Sequence, residues 1–296
     1  ELCHPELCHP ELCHPELCHP ELVEGNVILS YVILSLSKDE GNVILSLSKD
    51  EGRRALVTGA AAGLAAGIAP ALARDGFSSV SITYRDTAPG TTLAAIEAAG
   101  AIASAAKIDF LEDPGLVEKK LDSLVREHGP FDTLVHAVGP LVVKRFARST
   151  LEEYAETFDG NVRSAVLAAR ATLPAMRDAK FGRVVFFGML GSEQTRPFRG
   201  FSLYQSAKSA LVAFARCLAL EEASNHITIN VVSPGDIREK TLAREQAYER
   251  SANNPRGRPG SYEDVADAVR FFVAAERDFI TGAVIEVGGG LQTAAE

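Results

Sequence analysis

From Arg54 onward the chain alternates short apolar runs with longer amphipathic stretches, and that alternation limits the fold more than any other feature. Ala55–Val57, Ser79–Tyr84, Ser104–Ile108, Thr133–His136, Arg183–Phe187, Thr228–Val232 and Ala283–Val287 have strand length, and most are β-branched and apolar throughout. Such runs suit parallel strands covered on both faces. Between them, Leu64–Asp75, Thr92–Ala99, Leu116–His128, Leu151–Ala179, Tyr204–Ala223 and Ser261–Ala275 read as Ala/Leu-rich helices. The pattern predicts an α/β fold, a doubly wound parallel sheet of the Rossmann type, in one domain over 53–296. The polar segment Arg238–Pro259 predicts a mobile insertion over the carboxyl edge of that sheet.

Residues 1–52 differ in kind. Four copies of Glu-Leu-Cys-His-Pro fill 1–20, and residues 32–42 and 43–52 repeat one apolar-to-acidic motif almost unchanged. A proline every fifth residue prevents a helix. The recurring Cys and His suggest a metal site, but each pair is followed by Pro and nothing supplies outer-shell partners, so no metal is expected. Verbatim repetition and the lack of any Met before Met176 predict a disordered or spurious extension, with the native start near Gly52 to Arg54.

Eight of the chain's nine net negative charges lie in residues 1–52, so the body is nearly neutral. A neutral body offers no electrostatic footprint for nucleic acid. Cys217 is the single cysteine after residue 52, which predicts a reduced, cytoplasmic protein. No run reaches the ~18 apolar residues of a membrane span.

Val57-Thr58-Gly59-Ala60-Ala61-Ala62-Gly63-Leu64-Ala65 follows the first strand and opens the first helix. Small residues there let a helix N-terminus approach a pyrophosphate. The segment resembles the Thr-Gly-x-x-x-Gly-x-Gly loop of the short-chain dehydrogenase/reductase family, and the similarity continues through the body. His136-Ala137-Val138-Gly139 stands where that family has Asn-Asn-Ala-Gly, and Gly160-Asn161-Val162 matches its helix-borne asparagine. Tyr204-Gln205-Ser206-Ala207-Lys208 is similar to its Tyr-x-x-x-Lys pair, and Pro234-Gly235, Ile280-Thr281-Gly282 and Val287-Gly288-Gly289-Gly290 follow in order.

The resemblance implies a nicotinamide cofactor held by Thr58, Gly59, Gly63, Leu64, His136, Ala137, Gly139, Lys208, Pro234, Gly235 and Ile237. Tyr84 occupies the family's acid position and Arg85 follows it, which favours NADP(H) through its 2′-phosphate. The alternative is a solvated Arg85 paired with Asp86. Asp109 matches the acid that contacts the adenine amino group, and as a bare feature it equally suits a helix cap. Tyr204 is implied as proton donor, Lys208 as its electrostatic partner and ribose contact, and Asn161 as the holder of a relay water.

Three positions depart from the pattern. The family's serine after strand five falls on Gly191 by counting back from Tyr204, or on Met189 by aligning from Gly182. Neither donates a side-chain hydrogen bond, whereas Ser192 stands near enough to substitute if the loop folds back. Ala65 replaces the third loop glycine, and Glu239 replaces a threonine that commonly binds the nicotinamide amide. The expected function is NADPH-dependent carbonyl reduction, resembling β-ketoacyl-acyl-carrier-protein reductases, on a small carbonyl substrate that a carrier protein delivers in those enzymes. The alternatives are a nucleotide-binding sensor or scaffold with little catalysis, and a pteridine or quinone reductase. Arg238, Lys240, Arg244 and Arg250 are candidates for a carrier-protein contact, or else pair with nearby Glu residues. A homo-oligomer, a tetramer by resemblance, is expected through the two long central helices.

Overall fold

The computed structural model describes residues 52–237 and 239–291, together with a two-residue antiparallel strand pair, Lys38–Asp39 with Asn42–Val43. Glu1–Lys49 and Asp50–Glu296 form separate units. The Glu-Leu-Cys-His-Pro repeats and Arg238 lie outside the described residues.

Seven strands make one sheet: β1 (Arg54–Thr58), β2 (Ser79–Tyr84), β3 (Ile102–Lys107), β4 (Thr133–His136), β5 (Gly182–Phe187), β6 (Ile227–Pro234) and β7 (Val284–Val287). Every pairing is parallel and the order is β3-β2-β1-β4-β5-β6-β7. The chain runs outward from β1 to β3, then returns beside β1 and runs the other way. The direction therefore reverses between β1 and β4, where a crevice opens at the strands' carboxyl ends.

Neighbouring strand residues feed opposite layers, as the two-residue period requires. Val57, Val185 and Val232 pack with Ile68 and Leu72 of α1 (Gly63–Arg74), Ile96 of α2 (Gly90–Ala98) and other residues of that layer. Leu56, Val184 and Val231 pack instead with α3 (Pro114–His128) and with the helices that follow β4 and β5. The inner strands β4 and β5 are buried at every residue. Edge strand β3 begins two residues before its expected start, because Ile102 is exposed and lies outside the buried run that the sequence pattern detects.

The long helix expected over Leu151–Ala179 is continuous but not uniform. It comprises α4 (Leu151–Phe158), a wider π turn at Asp159–Arg163, and α5 (Ser164–Ala179). Asn161 sits in the π turn. A turn of this type breaks the regular backbone ladder and is common at functional positions. The next helix, α6 (Ser202–Glu222), carries Tyr204 and Lys208.

The expected mobile insertion is built into the fold. It contains a short helix, α7 (Arg244–Tyr248), which the sequence did not reveal, and leads to α8 (Tyr262–Val273). The Arg244 backbone N–H donates to Glu263, Asn254 donates to the Arg258 carbonyl at 2.8 Å, and Arg258 pairs with Asp264 at 2.8 Å. Burial opposes the charge on Asp264, yet Arg258 and the Ser261 cap hold its pKa down to about 2. The Ala65 departure is harmless, since Ala65 lies in the core at 2% exposure. Gly67 supplies the close approach instead: a Cβ there would come within 2.3 Å of the Tyr262 ring.

Candidate active site

The crevice begins at the β1–α1 loop. Gly59 and Gly63 both have φ of +67°, a conformation that side chains disfavour. The Gly59 N–H donates to Thr83 Oγ1 and the Ala60 N–H to the Thr83 carbonyl, each at 3.0 Å, so β2 fixes the loop. α1 then starts with no side-chain cap and no acid in its first turn. Its first N–H groups border a cavity of about 710 Å³ lined by Gly63, Leu64 and Ala65. That is the electrostatic setting an anion seeks.

A second cavity of about 310 Å³ shares Gly59, Ala62, Ala137 and Gly139 with the first and continues past Tyr84, Arg85 and Asp109. Arg85 Nε donates to Asp86 at 2.7 Å, with both side chains at least half exposed. The pairing raised from sequence is thus present, and exposed pairs of this kind are weak. Asp109 Oδ1 accepts from the Leu111 N–H at 3.0 Å, which shapes its own loop. Pro234, Gly235 and Ile237 line the larger cavity from the end of β6.

Two expected cofactor contacts are elsewhere. Thr58 and His136 are essentially fully buried and line neither cavity. Thr58 Oγ1 accepts from the Ala137 N–H at 3.1 Å and lies 2.9 Å from His136 Nδ1. Ser164 Oγ donates to the Gly160 carbonyl at 2.7 Å, so it accepts from His136 Nε2–H at 3.0 Å, and Nδ1 accepts from Thr58. Burial, with Lys208 adding repulsion, lowers the His136 pKa to about 3 and keeps the ring neutral. His136 therefore ties the β1 loop to the π turn beneath the crevice floor. It positions the site without touching the cavity.

The reacting side chains gather above that floor. Lys208 is 3% exposed and donates to the Phe187 carbonyl at 2.6 Å, with Nζ 5.6 Å from the Tyr204 ring centre. Asn161 Nδ2 donates to the Thr157 carbonyl at 2.8 Å and the Pro140 carbonyl at 3.1 Å, while its buried Oδ1 has no partner. A Cβ on Gly139 would lie 2.5 Å from that oxygen and 3.1 Å from Lys208 Nζ, so glycine keeps this space open. Burial pushes Tyr204 up to about 12. Burial, then the nearby charge of Lys240, pulls Lys208 down to about 7. Desolvation thus outweighs the expected lowering of the phenol by Lys208, and Tyr204 stays protonated at neutral pH.

The departure after β5 also resolves. Met189 lines the larger cavity beside Leu190, Phe198 and Phe201. Gly191 turns away with its N–H on Glu286 Oε1 at 2.6 Å. Ser192 is 1% exposed, accepts from the Met189 N–H at 3.3 Å and is not a lining residue. Its hydroxyl is buried in the turn, 2.9 Å from a Cβ built on the lining residue Gly188, rather than on the cavity surface. Glu239 points out to Arg250, whereas its neighbour Lys240 lines the cavity. Sequence reasoning offered Lys240 as a carrier-protein contact or a partner of nearby Glu residues, and passed over the Phe198–Phe201 wall, for which no motif exists.

Residues 59–292 match the sequence profile of the family described as enoyl-(acyl carrier protein) reductase. The chain belongs to the short-chain dehydrogenase/reductase family. It is 32% identical over 240 residues to the 3-oxoacyl-[acyl-carrier-protein] reductase FabG of Escherichia coli, covering 80% of this chain and 96% of that one. A short-chain dehydrogenase/reductase double mutant from Serratia marcescens superposes with a TM-score of 0.71 at 27% identity, covering 81% of this chain and 98% of the other. Acetoin dehydrogenase from Enterobacter cloacae gives 0.73 at 25%, covering 82% and 96%. As an oxidoreductase of this family the chain has an all-parallel Rossmann-type sheet, and no helix among its described residues is long and apolar enough to cross a membrane.

Proposed function

We propose that the chain is an NADPH-dependent reductase that delivers hydride to the carbonyl of an apolar ketone, of 3-oxoacyl or similar type. One observation carries this reading: a protonated Tyr204 and a buried Lys208 line a cavity that runs onto an uncapped helix N-terminus, with the unpaired oxygen of the buried Asn161 just behind the lining residue Gly139. The residues fit the cofactor on physical grounds. The α1 N–H groups suit its pyrophosphate, bare Gly139 and Asn161 Oδ1 leave polar space for its ribose and a water, and Arg85 suits the 2′-phosphate. When bound, the cofactor supplies the hydride.

The chain's own residues do the rest. Tyr204, which burial keeps protonated at neutral pH, donates its phenolic proton to the carbonyl oxygen. Lys208 orients the ribose and returns a proton through water held by Asn161. Leu141, Phe198, Phe201 and Met189 exclude solvent around the reacting carbon. Because Met189 donates nothing, Tyr204 polarises the carbonyl alone.

That last observation also favours a second reading, reduction of a conjugated carbon–carbon double bond, the reaction in the matched family's description. There the developing charge spreads over an enolate and one donor serves. A carrier protein would present the substrate, cytoplasmic operation suits the NADPH supply, and a homotetramer would cover Leu151, Leu220 and Phe279, which are 82%, 81% and 99% exposed. The test is NADPH oxidation with a panel of ketones and enones. Tight binding with turnover on none of them overturns the reductase reading in favour of a sensor or scaffold.

A further inference from the structure

The segment between β6 and α8 is rich in cations, and three of its described arginines are neutralised locally. Arg244 pairs with Asp264 at 3.3 Å and with Asp267, Arg250 pairs with Glu239, and Arg258 pairs with Asp264. Lys240 differs. Among the described residues it has, like Arg256, no carboxylate partner, and of the two it alone lines the larger cavity. Its stem instead crosses the first residue of α1, where a Cβ built on Gly63 would lie 3.4 Å from Lys240 Cδ.

The arrangement is electrostatically incomplete. The uncapped α1 N-terminus carries partial positive charge, and both Lys240 and Lys208 line the same cavity. The single carboxylate among the lining residues, Asp236, keeps its charge against the neutral amide of Asn254, so one anion faces two lysines and a helix N-terminus. Gathering like charges around a concave surface costs free energy unless an anion lies between them. Lys208 registers that repulsion, since Lys240 contributes to its lowered pKa. The anion that fits is compact, multiply charged and able to accept from helix N–H groups and an ammonium together.

We propose that Lys240 is a cofactor-binding residue of this chain, reaching over the α1 N-terminus to the pyrophosphate of the bound dinucleotide. The proposal rests on the nicotinamide-cofactor reading above. It also explains why Glu239 can be spared from the threonine's role: Glu239 turns outward to Arg250, and the next residue brings a cation inward.

The experiment is direct binding of NADPH and NADH to the full chain by fluorescence titration, without substrate, for wild type, Lys240→Ala, Lys240→Glu and Lys240→Arg. Lys240 is exposed, so circular dichroism should show all four folded. Lys240→Ala is expected to raise the Kd ~10-fold for both cofactors, because both contain the pyrophosphate. Lys240→Glu should raise it further, Lys240→Arg should restore most affinity, and the Ala variant should show a shallower salt dependence. An unchanged Kd in Lys240→Ala overturns the proposal while leaving the reductase reading intact. So does an unchanged Kd combined with a raised KM for the carbonyl compound, which would make Lys240 a substrate residue. Failure of wild type to bind either dinucleotide overturns both.

Discussion

The two halves of the crevice hold their chemistry in different materials. The dinucleotide half, from Gly59 to Asp109, relies on backbone: glycines at positive φ, an uncapped helix start, and a loop tied to Thr83. The substrate half relies on side chains brought from separate loops, with Leu141, Met189, Phe198 and Phe201 forming an apolar wall around Tyr204. Backbone geometry must be written as small residues at fixed spacing, so it leaves a motif. An apolar wall accepts many sequences and leaves none. The first half therefore reports family membership, and in the proposed function the second decides what is reduced.

That contrast can be broken most sharply at Tyr204. Tyr204→Phe should lower kcat by ~10²–10⁴-fold, the usual worth of a positioned acid, while NADPH affinity stays near wild type. Loss of binding and turnover together in this variant would mean the two halves are not separable. Lys208→Ala should weaken both, because that ammonium faces each half.

The next largest effect is expected at the missing donor. Met189→Ser should raise turnover on simple ketones by up to ~10²-fold if the donor geometry is recovered. Ser192→Ala should leave kcat unchanged and cost ~1 kcal/mol of stability through its lost loop hydrogen bond. A crippled Ser192→Ala enzyme of normal stability would show that the buried serine does reach the substrate. On the other half, Arg85→Ala should reduce the preference for NADPH over NADH by ~10-fold, read as the ratio of the two Kd values.

A last effect, on stability rather than on turnover or affinity, tests the layer under both halves. His136 binds its proton at a pKa of about 3 in the folded chain against 6.5 when unfolded, so the unfolded state holds the extra proton between those values. Stability present above pH 6.5 should fall with acidification through that window, levelling off below the folded pKa. His136→Asn, the residue that the family resemblance places there, should flatten this slope in chemical denaturation. An unchanged acid slope would place the proton-linked loss elsewhere.

How far the sequence reached follows the same division. All seven strands were legible to within a residue or two, the inner ones because burial on both faces makes them uniformly apolar; β3 at the edge lost its exposed first residue, Ile102. α7 escaped because it is five residues long and polar, held by Glu263 rather than by an apolar face. Thr58 and His136 were assigned to the cofactor from motif position alone. Their side chains meet each other across β1 and β4, a fact of the pleat that spacing does not encode. The π turn at Asn161 was equally hidden, since one widened turn hardly disturbs a helical pattern.

The most direct test of the account uses NADPH deuterated at C4 of the nicotinamide with a substrate that offers both a ketone and a conjugated double bond. The account predicts product alcohol with deuterium on the former carbonyl carbon in wild type, and none in Tyr204→Phe. Deuterium on the β-carbon with the ketone intact would contradict it, and so would oxidation of the cofactor at an equal rate in Tyr204→Phe.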